Sequence, residues 1–211
     1  MGIKPEERGH YLSREYDTKE RFASYWHQAD ETLKRNPRSV LVVGSGGGFL
    51  EQYLEKRGVD VTTADIDPAL SPDITADVRK MPLGDESFDV SVCFEVLEHI
   101  EYEDFTAALK ELGRLSRQWV IISIPEVRPV FRVFADLPII GWFRFMIPKF
   151  QMGTPEHTDR GMGHYWNIGE KGYSLDRIRK DISASGFMIE STYRVFENPL
   201  HRFFVLKKVA K

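Results

Sequence analysis

Three groups of residues in this chain have the types and spacing to do chemistry. The first is Gly44-Ser45-Gly46-Gly47-Gly48, a glycine turn running into Phe49-Leu50, where backbone N–H groups can approach a ligand closely. The second is Asp65, roughly 20 residues beyond the turn, where a carboxylate is placed to accept hydrogen bonds from ribose hydroxyls. Asp67, before Pro68, reads as a turn residue. The third is Glu95-Val96-Leu97-Glu98-His99, where ionisable and apolar residues meet, followed much later by His164-Tyr165-Trp166 in a polar loop. A histidine at such an edge has the near-neutral reference pKa of a general base, which makes His99 the first candidate and His164 the second. No metal-ligand set is read from the spacing.

The glycine spacing discriminates among ligands. A dinucleotide turn needs G-x-G-x-x-G/A, with the third small residue letting helix and strand pack. From Gly44 the chain reads G-S-G-G-G-F, so Phe49 fills that position and the spacing that fits is G-x-G-x-G. A nicotinamide dehydrogenase is disfavoured on that ground.

The elements that must position these groups follow from periodicity. Val40-Leu41-Val42-Val43 reads as a strand buried on both faces. Phe49, Leu50, Tyr53 and Leu54 recur at helical spacing up to Gly58. Strands are expected within Val59–Pro68, ending in its acidic residues, at the start of Asp73–Leu83 before it runs into a loop, at Phe88–Phe94 and at Trp119–Ile124, with an amphipathic helix from Asp104 to Leu115. A helix capped by Ser174 and stopped at Gly186 precedes two strands whose link is too short for anything but antiparallel pairing.

Two stretches stand outside this cadence. Residues 17–34 read as a helix packing Phe22, Tyr25, Trp26, Ala29 and Leu33 on the main domain, with Tyr11 and Tyr16 nearby as part of a cap. Residues 127–150 are aromatic and aliphatic, but Pro129, Pro138, Pro148, Arg132, Asp136 and Arg144 rule out a membrane span. A lid over an apolar pocket, a partner interface and a membrane-surface segment all fit that composition.

Composition narrows the partners. With 29 Lys and Arg against 32 Asp and Glu, the net charge of −3 gives no electrostatic reason to expect nucleic acid. The single cysteine, Cys93, cannot form an internal disulfide, and Met1–Arg8 holds no apolar signal core. A cytoplasmic location is the expectation.

On the glycine turn, the Asp65 loop and the Leu97-Glu98-His99 stretch, the chain resembles the class I S-adenosylmethionine-dependent methyltransferases that act on small molecules. The resemblance implies an α/β, Rossmann-like, doubly wound and mostly parallel seven-stranded sheet with an antiparallel last strand. It divides the single domain into a helical cap (1–36), a cofactor-binding core (37–125), an inserted apolar lid (126–170) and a C-terminal helix with an antiparallel strand pair (171–211). Gly44, Ser45, Gly46 and Gly48 would meet the methionine portion of S-adenosylmethionine, Asp65 the ribose, and Ile66 the adenine face. Asp77 and Val78 would address the adenine edge, and Glu95 would border the methionine end and a small or lipid-like acceptor. The family usually places an acid two residues before the first glycine, where this chain has Val42. That departure motivates the alternative of a non-catalytic domain that binds a partner through 127–150.

Overall fold

The computed structural model describes residues 16–139, 141–150, 153–158 and 163–209. Helix α1 spans Lys19–Leu33 and is capped by Thr18, whose hydroxyl accepts the Arg21 N–H. Strand β1 (Ser39–Val43) leads through the glycine turn into helix α2 (Phe49–Glu55). Strands β2 (Asp60–Asp65), β3 (Ile74–Thr75) and β4 (Phe88–Phe94) follow, then helix α3 (Phe105–Leu115) and strand β5 (Ser116–Pro125). A hairpin of β6 (Val130–Leu137) and β7 (Gly141–Pro148) projects from the end of β5. Helix α4 (Leu175–Ala184) and strands β8 (Phe187–Arg194) and β9 (His201–Lys208) close the domain.

Among the described residues the main sheet has the order β3-β2-β1-β4-β5-β9-β8. Six strands run in one direction, while β9 is antiparallel to both of its neighbours, β5 and β8. Strand order reverses between β1 and β4. The segments leaving that point begin at Gly44 and Glu95 at the carboxyl edge, the switch-point crevice in which open α/β sheets bind ligands. The pairing of Pro125 with His201 brings the start of β9 to the same edge.

Alternate residues of β1 feed two cores. Leu41 and Val43 join Phe105, Leu109 and Leu112 of α3 and Ile178 and Ile182 of α4 on one face. Val40 and Val42 join Leu50 and Leu54 of α2 and Ala29 of α1 on the other. Each fully buried side chain of this size contributes about 1.5–3 kcal/mol of transfer free energy. The double winding expected from the sequence is therefore present.

The face of α1 differs from the expectation. Its buried residues are Ser24, Gln28, Ala29, Glu31 and Thr32, whereas Phe22 and Trp26 are exposed. Small polar side chains at four-residue spacing let the helix approach closely, with the Thr32 hydroxyl donating to the Gln28 carbonyl and Glu31 accepting from Tyr193. The aromatic side of α1 instead caps α2, with Tyr25 stacked on Phe49 at 4.9 Å and Phe22 edge-on to it at 5.4 Å. Phe49 thus serves as the anchor of the cap helix. Tyr11 lies outside the described residues.

Within 126–170 the sequence leads to an irregular apolar segment, and the structure forms a regular antiparallel hairpin there. Its base is fixed by Glu126, almost fully buried, which pairs with Arg128, Arg194 and Arg202. The loop that follows is anchored by Trp166, fully buried, whose indole N–H donates to the Ile100 carbonyl at 3.1 Å.

Candidate active site at the sheet switch point

The glycine turn takes its shape from three left-handed residues, Gly44 (φ +86°), Gly46 (φ +50°) and Gly48 (φ +77°). Gly44 admits no side chain, because a Cβ there would lie 2.3 Å from Val96 Cγ2. That close approach draws the turn after β1 against the segment after β4. Asp65, only 8% exposed at the end of β2, fixes the other side of the turn. Its carboxylate accepts the Ser45 N–H at 2.9 Å and the Asp67 N–H at 2.9 Å. A carboxylate offers about four lone-pair sites, so two remain for a ligand's hydroxyls. Ile66 stands half-exposed on the rim beside it.

Asp77 is more committed than the sequence suggests. Its carboxylate accepts from the Arg79 backbone N–H and guanidinium at 2.6–2.9 Å, which holds it below the usual carboxylate range. Val78 beside it is buried.

Glu51, on the first turn of α2, has one carboxyl oxygen buried without a hydrogen-bond partner. Burial and repulsion from Glu55, Asp73 and Asp65 push its pKa up to about 7. Between the ordinary glutamate value of 4.5 and about 7 the folded chain keeps a proton that the unfolded chain has lost. The stabilisation is complete below 4.5 and is lost as pH rises through the folded value. We expect the melting temperature to fall from pH 5 to pH 7 and Glu51→Gln to flatten that fall. Equal slopes in wild type and variant would exclude Glu51 as a source.

Glu95 adopts φ +54°, a left-handed conformation that a non-glycine residue holds at a cost and that points to a functional constraint. Its N–H donates to the Ser123 carbonyl at 3.1 Å. Burial raises its pKa, opposed by the Ser123 hydroxyl and by the charge of Arg21. Its Oε2 lies 3.5 Å from Nε2 of His201, a buried imidazole pushed down to about 3 and hence neutral. The contact is polar, not an ion pair. Arg21 also holds Tyr16, its guanidinium 3.8 Å above the ring.

The structure brings Glu98, His99 and His164 of the third group together. Glu98 is fully buried with neither carboxyl oxygen hydrogen-bonded among the described residues, and desolvation drives its pKa well above the ordinary value. His164 Nε2 stands 4.0 Å from Glu98 Oε1, and the His99 and His164 rings meet edge to face at 4.8 Å. His99 Nδ1 lies 3.2 Å from the Gly163 carbonyl, and His164 Nδ1 lies 2.9 Å from Asn167 Oδ1. Asn167 Nδ2 donates to Glu170, which assigns Oδ1 as an acceptor. In their neutral form both histidines therefore donate through Nδ1. Behind them, His157 bridges Glu170 at 2.8 Å and the His164 carbonyl at 2.9 Å. A cavity of about 70 Å³ beside His164, lined by Pro125, Val127, Asn167, Glu170 and Leu200, extends toward the hairpin base. Ligand atoms of Glu98, His99 and His164 lie within 4.8 Å of one another, so the oxygen and nitrogen set could also hold a divalent cation.

The residues expected from the sequence thus fall into two adjoining clusters, one around the glycine turn and one around Glu98. Arg21, Glu51 and His201 join them without having been singled out. Arg21 lies on the predicted cap helix, but its approach to Glu95 and His201 depends on tertiary packing. His201 reaches the edge only because β9 inserts between β5 and β8.

Comparison with known proteins agrees with this architecture. Residues 41–122 match the family model described as "Methyltransferase domain". The chain is 26% identical over 208 residues to a ubiquinone biosynthesis O-methyltransferase of Rhizobium leguminosarum bv. trifolii, covering 86% of this chain and 74% of the relative. Among solved structures, the N-methyltransferase NodS of Bradyrhizobium japonicum in complex with S-adenosyl-L-homocysteine aligns with a TM-score of 0.65 at 11% identity, covering 97% and 98% of the two chains. The magnesium protoporphyrin IX methyltransferase of Synechocystis, with the same molecule bound, aligns at 0.57 and 17% identity over 90% and 85%. These structural likenesses show the fold.

Proposed function

We propose that this chain, a class I S-adenosylmethionine-dependent methyltransferase by its domain and its fold, moves the cofactor's methyl group to a hydroxyl on a small, apolar or lipid-like acceptor. The observation that carries the oxygen acceptor is the pair of imidazoles that meet edge to face beside Glu98, in the segments that follow β4 and the hairpin. The relative from Rhizobium, an O-methyltransferase, supports the same choice.

The cofactor supplies an electrophilic methyl group on a sulfonium, whose departure as a thioether needs no acid. The chain's part is alignment, exclusion of water and removal of the acceptor proton. Gly44, Ser45, Gly46 and Gly48 would line the methionine portion, Asp65 would take the ribose hydroxyls with its two remaining lone-pair sites, and Ile66 would cover the adenine. Asp77, one of whose oxygens holds a single Arg79 donor, retains an acceptor site for the adenine edge beside Val78. Glu95 would border the methionine end.

Val42 is buried among Val40, Leu50 and Leu54, so an acid at that position would be desolvated. Arg21, near Glu95, is the group we assign to the cofactor's carboxylate instead. As the acceptor oxygen attacks, its proton would pass to His164 Nε2, with His99 alongside.

Transfer of labelled methyl from S-adenosylmethionine to phenols bearing alkyl or prenyl chains, with the product read by mass spectrometry, tests the reading. Methyl ethers are the expected products. Methylation of amines alone, or no transfer across the panel despite cofactor binding, would contradict it.

A further inference from the structure

The hairpin β6–β7 has an asymmetry that neither the sheet nor the site requires. Its register places Phe131 opposite Ile147, Val133 opposite Phe145, Ala135 opposite Phe143 and Leu137 opposite Gly141, all on one face. That face carries no charged residue. Arg132, Asp136 and Arg144 all lie on the other face, where Arg132 donates to the Glu197 carbonyl at 2.7 Å and Arg144 pairs with the Glu197 carboxylate. The apolar face is open to solvent, with Phe131 56% exposed and Phe143, Phe145 and Ile147 also exposed. At the tip Ile139 is 98% exposed, and even on the charged face Phe134 and Trp142 are each 63% exposed.

We propose that this hairpin is a docking element for the surface of an anionic phospholipid membrane. A folded protein partner covers one face of an element, whereas here the distal half presents apolar side chains from both faces and from the tip. Fluid acyl chains and headgroups solvate all of these together, with the aromatic rings at the interfacial level they favour. Charge supports the same occupant. Segment 127–150 holds Arg128, Arg132, Arg144 and Lys149 against Asp136; Arg128 and Arg144 are paired with Glu126 and Glu197 outside it, so Arg132 and Lys149 leave the hairpin with a net positive charge of +1 on a chain whose total is −3. That charge, beside the exposed apolar side chains, draws the hairpin toward an anionic surface. Among the described residues no helix is long and apolar enough to cross a membrane, so the contact is with the surface. The hairpin leaves β5 at the carboxyl edge, beside His164 and the cavity lined by Pro125 and Val127. Docking there faces the crevice toward the lipid.

The test is co-sedimentation of the full chain with vesicles of phosphatidylcholine alone and of phosphatidylcholine with about 30% phosphatidylglycerol. Wild type should partition onto the anionic vesicles roughly tenfold or more above the neutral ones, less so at high salt. The double variant Ile139→Asp/Phe143→Asp should lose roughly tenfold or more of that binding while keeping its melting temperature and its affinity for S-adenosylhomocysteine. Quenching of tryptophan emission by brominated acyl chains needs no folded double variant: wild type should be quenched, and Trp142→Phe should lack that component. Wild type remaining in the supernatant with both vesicles, or a folded double variant that pellets equally, overturns the proposal. So does a stable dimer that the substitutions dissolve, which would give the face to a second copy. None of these readouts requires methyl transfer, so failure here is distinct from failure of the activity.

Discussion

Replacing Asp65 with alanine is expected to weaken S-adenosylmethionine binding by about 1–3 kcal/mol, roughly tenfold to a hundredfold in Kd. The carboxylate has two tasks. It ties the glycine turn to β2 through the Ser45 and Asp67 N–H groups, and its remaining lone pairs face the position assigned to the ribose. Alanine removes both the cofactor's acceptor and the tie that shapes the turn. Asp65→Asn keeps one side-chain acceptor and should fall between the two proteins. Unchanged affinity in Asp65→Ala would refute the ribose assignment.

The second large effect concerns proton removal. His164→Gln should lower kcat by about 10²–10⁴-fold, the usual contribution of a positioned general base, with cofactor Kd unchanged. His164 is the better placed of the two histidines, because its side chain is nearly buried and the Asn167, Glu170 and His157 network sets its tautomer and orientation. A merely structural role would change melting temperature and Kd together with kcat. The wild-type rate should rise with pH as the base loses its proton, and that limb should vanish in the variant. A loss of kcat smaller than about threefold would move the base to His99 or remove the need for one.

The legible parts of the chain were those where local chemistry and tertiary context agree. The β-branched run Val40–Val43 is buried on both faces as a parallel strand must be, and the glycines after it occupy backbone conformations that other residues resist. Leu97-Glu98-His99 was recognisable as ionisable residues at the end of an apolar strand and by its likeness to the family's stretch, whereas the burial of Glu98 depends on the loop that packs Trp166. The hairpin was harder, since its prolines read as interruptions. In the fold Pro129 precedes β6, Pro138 lies in the turn and Pro148 ends β7, so they bound the strands without breaking them. The signal available was that Arg132, Asp136 and Arg144 share one parity across the register, leaving the other face apolar. For α1, ranking residues by hydrophobicity selected Phe22 and Trp26, whereas close packing selected Ser24, Gln28 and Thr32. The parts of the site that depend on long-range placement, the charge of Arg21 acting on Glu95 and His201 beside it, had no local signature.

The central claim is that the crevice between the ends of β1 and β4 binds S-adenosylmethionine, with Val42 in place of the usual acid. Calorimetric titration of the folded wild-type chain with S-adenosylmethionine and S-adenosylhomocysteine, with Asp65→Ala run alongside, tests it most directly. The account predicts binding of both molecules on the order of micromolar, about −8 kcal/mol, and its marked weakening in the variant. Absence of heat with either molecule, in a sample that melts cooperatively, would contradict it.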